Sequence, residues 1–345
     1  MMNRLKAALA ASAVMLAPVF AAPALAETEL IFNSYLPPHD ELYQIAIRDF
    51  AAAIEKESAG GIKVTIPDTS LAPSDRQYEM VRDGIADMAI VSTGGVPQLV
   101  TLNKIGDLPF NSPSARAASI ALWETYNTYF LPFDEFKGVK VLSTNVLPGR
   151  QILSVGKLQA KTVADLKGAK LWSPPGALSE AVKKLGAVPV NSEFTDLQEY
   201  VTKGTVDAMV MAPNSAKGAR VLEYVTGMTQ IPGGLGSLSF AVFISQERWD
   251  ALSPEEQQAI QRAADGLPAR TGAAADEVLA KLAPEMAKVP TENLEGAQLD
   301  EFTTLLQARI DEWKERAAKK GLSDPDEVLT FYRDVLAREA KASGS

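Results

Sequence analysis

Apolar and polar positions follow two periods along this chain. Leu30-Ile31-Phe32 is a short β-type run that gives way to the turn residues Pro37-Pro38-His39-Asp40. Leu42, Ile45, Ala46, Phe50 and Ile54 then share one face of a helix that reaches Ser58. Gly60-Gly61 stops that helix, and Ile62 to Ile66 alternates as the next strand. Strand, helix, strand is the rhythm of an α/β domain. After Pro254 the period changes to that of amphipathic helices, predicted over 255–264, 269–289, 299–319 and 326–340. Phe302, Leu305, Leu306, Ile310 and Trp313 form the apolar stripe of the third. These helices are expected to pack outside the α/β units and tie them together.

One stretch recurs. Val81-Arg82-Asp83-Gly84-Ile85-Ala86-Asp87-Met88-Ala89-Ile90 is echoed by Val201-Thr202-Lys203-Gly204-Thr205-Val206-Asp207-Ala208-Met209-Val210. In both, a helix stops at a glycine tolerant of the left-handed conformation, and an aspartate marks entry to an apolar strand. The echo predicts two similar lobes, each presenting strand ends to a shared crevice, where open α/β sheets bind ligands.

The N-terminus changes the picture of where these lobes work. Arg4 and Lys6 precede an apolar stretch from Ala7 to about Ala22, followed by Ala24-Leu25-Ala26, the pattern of a signal peptide cleaved after Ala26. The expected location is the periplasm. Without the leader the chain is more acidic than its formal charge of -9, which argues against nucleic acid and anionic lipid as partners. The chain has no cysteine, so disulfides, thiolate metal sites and Cys nucleophiles are excluded. Roughly 320 residues remain, more than one core usually supports, and two lobes are expected.

Catalytic patterns are sparse. Ser154-Val155-Gly156-Lys157 matches an S-x-x-K nucleophile pattern without its companion motifs. His39 is the only histidine, so any Ser-His-Asp triad must use it. Gly233-Gly234-Leu235-Gly236 lacks the last glycine and the preceding strand of a dinucleotide fingerprint. Neither an enzymatic activity nor a cofactor or metal is expected.

Ala164-Asp165-Leu166-Lys167-Gly168-Ala169-Lys170-Leu171, then Leu185-Gly186-Ala187-Val188-Pro189-Val190, then Gly204-Thr205-Val206-Asp207 resembles the ordered motifs of solute-binding subunits of tripartite ATP-independent periplasmic (TRAP) transporters, the DctP-like family. Asp107-Leu108-Pro109-Phe110, Trp249 and Leu252-Ser253-Pro254 extend the resemblance over nearly the whole mature chain. It implies a periplasmic binding protein-like α/β fold: two lobes with a double crossover, a hinge and a long bridging helix. It also implies a monomer that hands its solute to a small and a large integral-membrane subunit driven by an ion gradient. The lobes are expected at 27–148 plus about 238–270, and at 149–237 plus about 271–345.

The resemblance implies that arginine grips an organic anion, since guanidinium matches a carboxylate with two parallel hydrogen bonds. Arg150 matches one family arginine; Arg116 or Arg220 is the alternative. Where the family has its second arginine this chain has Trp172, and Met211 stands where a polar residue is common. Phe194 faces the same crevice in the family's plan. Burying roughly 100 Å² of ring is worth about 2.5 kcal/mol, with about 0.5–1.5 kcal/mol more for aromatic geometry. A polyhydroxylated ligand would leave hydroxyls unpaired, at roughly 1–3 kcal/mol each. The expected ligand is therefore a hydrophobic or aromatic monocarboxylate, with a dicarboxylate or sugar acid as the alternative. Tyr35, Ser92 and Thr93 are expected from the opposite lobe, with His39 and Asn214 as further contacts. A secreted hydrolase and a binding subunit of an ATP-driven importer remain as competing classes.

Overall fold

The computed structural model describes residues 27–192 and 194–342; the expected signal peptide lies outside them. Eleven strands, in chain order, are β1 Thr28–Asn33, β2 Ile62–Thr65, β3 Met88–Ser92, β4 Val139–Val146, β5 Gln151–Val155, β6 Lys170–Trp172, β7 Val188–Val190, β8 Ala208–Met211, β9 Val225–Gln230, β10 Ser239–Ser245 and β11 Thr291–Asn293 among the described residues. The helices are α1 Glu41–Tyr43, α2 Phe50–Glu57, α3 Gln77–Arg82, α4 Ala115–Thr125, α5 Val163–Leu166, α6 Ala177–Lys184, α7 Leu197–Thr202, α8 Pro213–Gly218, α9 Gln246–Ala251, α10 Pro254–Ala264, α11 Leu267–Met286, α12 Gly296–Lys319 and α13 Pro325–Ala342. The single helix expected before Ser58 is interrupted by a π-helical segment, Gln44–Asp49, joining α1 to α2.

The strands form two sheets, ordered β2-β1-β3-β10-β4 and β11-β9-β5-β8-β6-β7. The fold is thus two α/β lobes, and the repeated sequence stretch explains how they correspond. Gly84 and Gly204 adopt φ of +76° and +65° after α3 and α7. Asp87 then accepts from the backbone N–H of Ile31 (2.7 Å), while its own N–H donates to the Ile31 carbonyl (3.0 Å). Asp207 repeats both bonds with Lys170, each at 2.8 Å. Each aspartate therefore latches a strand to its parallel neighbour, β3 to β1 and β8 to β6. On the other side Ser245 N–H donates to the Asp87 carbonyl and Val155 N–H to that of Asp207, where antiparallel β10 and β5 return from the other lobe.

Two helices bridge the lobes. Phe302 and Leu306 of α12 lie in the second lobe's core, whereas Ile310, Trp313 and Ala317 lie in the first lobe's. Leu267 of α11 packs in the first lobe and Leu282 and Met286 in the second. Between them α11 crosses α4 at Gly272, where a Cβ would lie 2.5 Å from the Ala115 carbonyl oxygen. Asp276, one turn later, accepts from the N–H groups of Ala115 and Arg116 at 2.8 and 2.9 Å, using free donors of the α4 N-terminus. The C-terminal helix departs from expectation. Val328, Leu329, Tyr332, Val335 and Leu336 of α13 belong to the first lobe's core, not the second's, because their stripe matches the face of α4 around Ala118 and Leu122.

Candidate functional site

Register fixes which side chains stand at the strand ends of each lobe. In the second lobe Gln151 pairs with Met211 across antiparallel β5 and β8, so Arg150 stands beside the C-terminal end of β8. Trp172 ends β6, whose parallel pairing sets it level with Met209. In the first lobe Ser92 ends β3 and pairs with Phe240, which pairs in turn with Asn145 on β4.

Two segments cross between the lobes, 147–150 and 231–238. They pair where they meet: Leu147 N–H donates to the Leu238 carbonyl (3.0 Å), Arg150 N–H to Gly236 (2.9 Å) and Leu235 N–H to Arg150 (2.8 Å). A third segment from the first lobe closes over them, with Phe110 N–H on the Gly234 carbonyl (2.9 Å) and Ser112 N–H on that of Gly233 (3.0 Å). Phe110 holds φ of +67°, an outlier for a bulky residue. The Gly233-Gly234-Leu235-Gly236 run, which fits no nucleotide fingerprint, therefore has its use here, as close-packed backbone that fixes the Arg150 main chain.

The Arg150 side chain is 4% exposed, and its Nη1 donates to Ser215 Oγ at 2.7 Å. Ser215 sits in the first turns of α8, next to Asn214, which is 9% exposed. Met211 is buried among Trp172, Leu197 and Ala216. Trp172 was expected against the ligand, with packing into the lobe as the alternative; it is 3% exposed within the second lobe's core, and its Nε1 donates to Ser192 Oγ at 3.0 Å. Its outward neighbour is Phe194, 47% exposed, with ring centroids 6.4 Å apart. The exposed aromatic surface is therefore that of Phe194, backed by Trp172. Of the alternative arginines, Arg116 pairs with Glu339 at 2.9 Å and Arg220 is exposed.

In the first lobe, burial together with the Asp40 charge pushes the Tyr35 hydroxyl well above its ordinary range, against the pull of a hydrogen bond with the Ser92 backbone. Tyr35 and Ser92 thus share one edge. Thr93, expected as a ligand contact, is committed elsewhere: its Oγ1 lies 2.7 Å from Ser239 Oγ and donates to Asp107 Oδ2 at 3.2 Å. His39 is exposed in the turn before α1. A crevice of about 220 Å³ lies between Gly94 and Pro97 of the first lobe and Pro175 and Gly176 of the second, against Trp313 of α12, and Arg150, Phe194, Tyr35 and Ser92 are not among its lining residues.

Asp107, which opens the Asp107-Leu108-Pro109-Phe110 motif, is a buried carboxyl that joins β10 to the first lobe. Its Oδ1 accepts from Ser239 N–H at 2.7 Å, and burial pushes its carboxyl from 3.8 up to about 6, partly offset by the Ser239 and Thr93 hydrogen bonds and by Lys104. Because the folded pKa is raised, its contribution to stability is complete below pH 3.8 and is lost as pH rises through about 6. At 1.36 kcal/mol per unit the loss is roughly 3 kcal/mol. Denaturant unfolding at pH 4, 5.5 and 7 should therefore show the wild type losing ground to Asp107→Asn as pH rises; parallel curves would remove Asp107 as the source.

Residues 32–316 match the family described as bacterial extracellular solute-binding protein, family 7 (DctP). A Comamonas testosteroni protein named outer membrane transporter protein TsaT is 32% identical over 89% of this chain and 91% of its own length. The TRAP periplasmic solute-binding protein of Bordetella bronchiseptica, solved with bound (R)- and (S)-mandelate, shares 25% identity with a TM-score of 0.82, over 90% of this chain and 99% of that one. A marine metagenome TRAP solute-binding protein, solved with 3-hydroxybenzoate, shares 26% identity with a TM-score of 0.78, over 90% and 98%. With the two-lobed architecture, the doubled crossing and the bridging helices already in place, these matches establish that the chain belongs to the DctP family of extracytoplasmic TRAP solute-binding proteins.

Proposed function

We propose that this solute-binding protein captures a small aromatic monocarboxylate between its lobes, with the carboxylate on Arg150 and the ring against Phe194. The observation that carries the reading is the buried Arg150 guanidinium at the interlobe edge, aimed by Ser215, with apolar Met211, Trp172 and half-exposed Phe194 on its own lobe. The guanidinium matches a carboxylate, and the apolar side chains favour a ligand whose remainder is mostly apolar ring. The mandelate and 3-hydroxybenzoate held by the two solved relatives are acids of this class. Tyr35 and Ser92 close the site from the first lobe, with Asn214 beside Arg150. The lobes meet at the two crossings, and the family's logic extends the reading to export, leader removal after Ala26 and delivery to small and large membrane subunits. No helix among the described residues is long and apolar enough to cross a membrane.

A thermal-shift panel of benzoate-like, branched-chain, dicarboxylate and sugar acids tests the proposal. A ligand at a hundred times its Kd adds about 2.7 kcal/mol of stability, and aromatic monocarboxylates should produce the largest rise in Tm. A panel in which only dicarboxylates or sugar acids raise Tm would replace this reading.

A further inference from the structure

Among the described residues, three buried polar side chains at one face of the first lobe's sheet lack hydrogen-bond partners: Asn145, through both amide atoms, and Ser143 on β4, and Thr271 on α11. Asn145 is 1% exposed, Ser143 0% and Thr271 4%. Their placement is not scattered. Ser143 pairs with Val242 and Asn145 with Phe240, and these two partners face the core that contains Leu267. Thr271 lies four residues after Leu267, on the same face of α11. Asn145 is also the far member of the cross-strand row Ser92–Phe240–Asn145, where neighbours stand about 5 Å apart. That row runs inward from Asn145 on the outer strand β4 to Ser92 on the central strand β3, next to Tyr35. A primary amide shielded from bulk water with neither its donors nor its acceptor used is costly, and such a group in a folded protein signals an occupant that completes it.

We infer that Asn145 is a specificity-determining residue that reads a hydroxyl, or another small polar substituent, on the far side of the ligand from its carboxylate. The inference rests on the reading of the cleft as an organic-acid site. Arg150 lies five residues further along the chain, at the end of the first crossing, and belongs to the second lobe, whereas Asn145, in β4, belongs to the first. A ligand with a carboxylate at one end and a hydroxyl at the other would engage both, and an amide can donate to and accept from the same hydroxyl. A site that hydrogen-bonds a substituent rejects the analogue lacking it more strongly than an apolar pocket rejects the reverse, because the buried partner is left unpaired.

The test is calorimetry of the wild type and Asn145→Leu, a substitution close in shape, with carboxylic acids that differ by one hydroxyl remote from the carboxylate: benzoate against 3-hydroxybenzoate, phenylacetate against 4-hydroxyphenylacetate, and butyrate against 4-hydroxybutyrate. The wild type should prefer the hydroxylated member of at least one pair by tenfold or more, and the leucine variant should lose that preference while keeping its affinity for the plain acid within about threefold. Asn145→Ala serves as the second variant, with circular dichroism confirming that each is folded. A preference that survives in both variants, a wild type indifferent to the hydroxyl, or equal weakening of both members of a pair would each overturn the assignment. If the pattern appears only in the aliphatic pair, the aromatic reading falls and the role of Asn145 stands.

Discussion

Arg150→Ala should weaken organic-acid binding by two to three orders of magnitude or more. The alanine keeps the backbone bonds to Gly236 and Leu235 that fix the crossing, so the loss concerns the side chain alone. Removing one partner of a buried ion pair costs roughly 3–5 kcal/mol, because the remaining charge is stranded in a poorly solvating site. At 1.4 kcal/mol per tenfold, that is a factor of about 100 or greater. Arg150→Lys retains the charge but not the planar fork, and an ammonium cannot both hold Ser215 and present two parallel donors. It should fall between wild type and alanine. Calorimetry with the best acid from the thermal-shift panel measures both, and an alanine variant within threefold of the wild type would take Arg150 out of the site.

The second large effect is expected far from any ligand contact. At Gly233 a Cβ would lie 2.3 Å from the Phe110 carbonyl oxygen, and φ is already +70°. The obstruction is backbone of the third segment, which is itself strained at Phe110 and cannot turn aside as a flexible side chain would. Gly233→Ala should therefore cost about 4 kcal/mol, as backbone strain and overpacking combine, and lower Tm by on the order of 10 °C. Gly204→Ala is the matched control, since it has a similar φ of +65° with nothing within 4 Å of the added carbon. It should cost only the left-handed penalty, about 1–2 kcal/mol. Equal losses in the two variants would mean that the crossing yields more easily than its contacts imply.

The parts legible in the sequence were those governed by local pattern. The C-terminal helices were readable because their apolar stripes repeat with the helical period, and the observed α10, α11, α12 and α13 lie within a few residues of the expected ranges. The echo around Asp87 and Asp207 was readable as a stop followed by a strand; that both carboxylates bond a neighbouring strand was not, since Ile31 and Lys170 lie at different separations along the chain. Arg150 was marked by family position, and its contact with Ser215 bridges residues 65 apart. The hinge was opaque for the same reason: Asp107, Gly149, Gly233 and Ser239 meet only in three dimensions. Trp172 shows a different limit, because sequence gave its position at a strand end but not its rotamer, and the Ser192 hydroxyl draws the indole inward. Asn145 sits in Ser143-Thr144-Asn145, which interrupts the apolar character of the outer strand β4 and was the available hint.

The paired carboxylate latches have a mechanical consequence. Because Asp87 and Asp207 clamp the central strands of their own sheets, neither lobe has slack with which to absorb a swing by sliding strand past strand. Any gaping of the molecule must be taken up by torsion in the short connectors and by flexing of the two spanning rods, so each half moves as a stiff jaw. Probe pairs placed within one jaw should then report constant separations, while pairs placed across the gap carry the whole excursion.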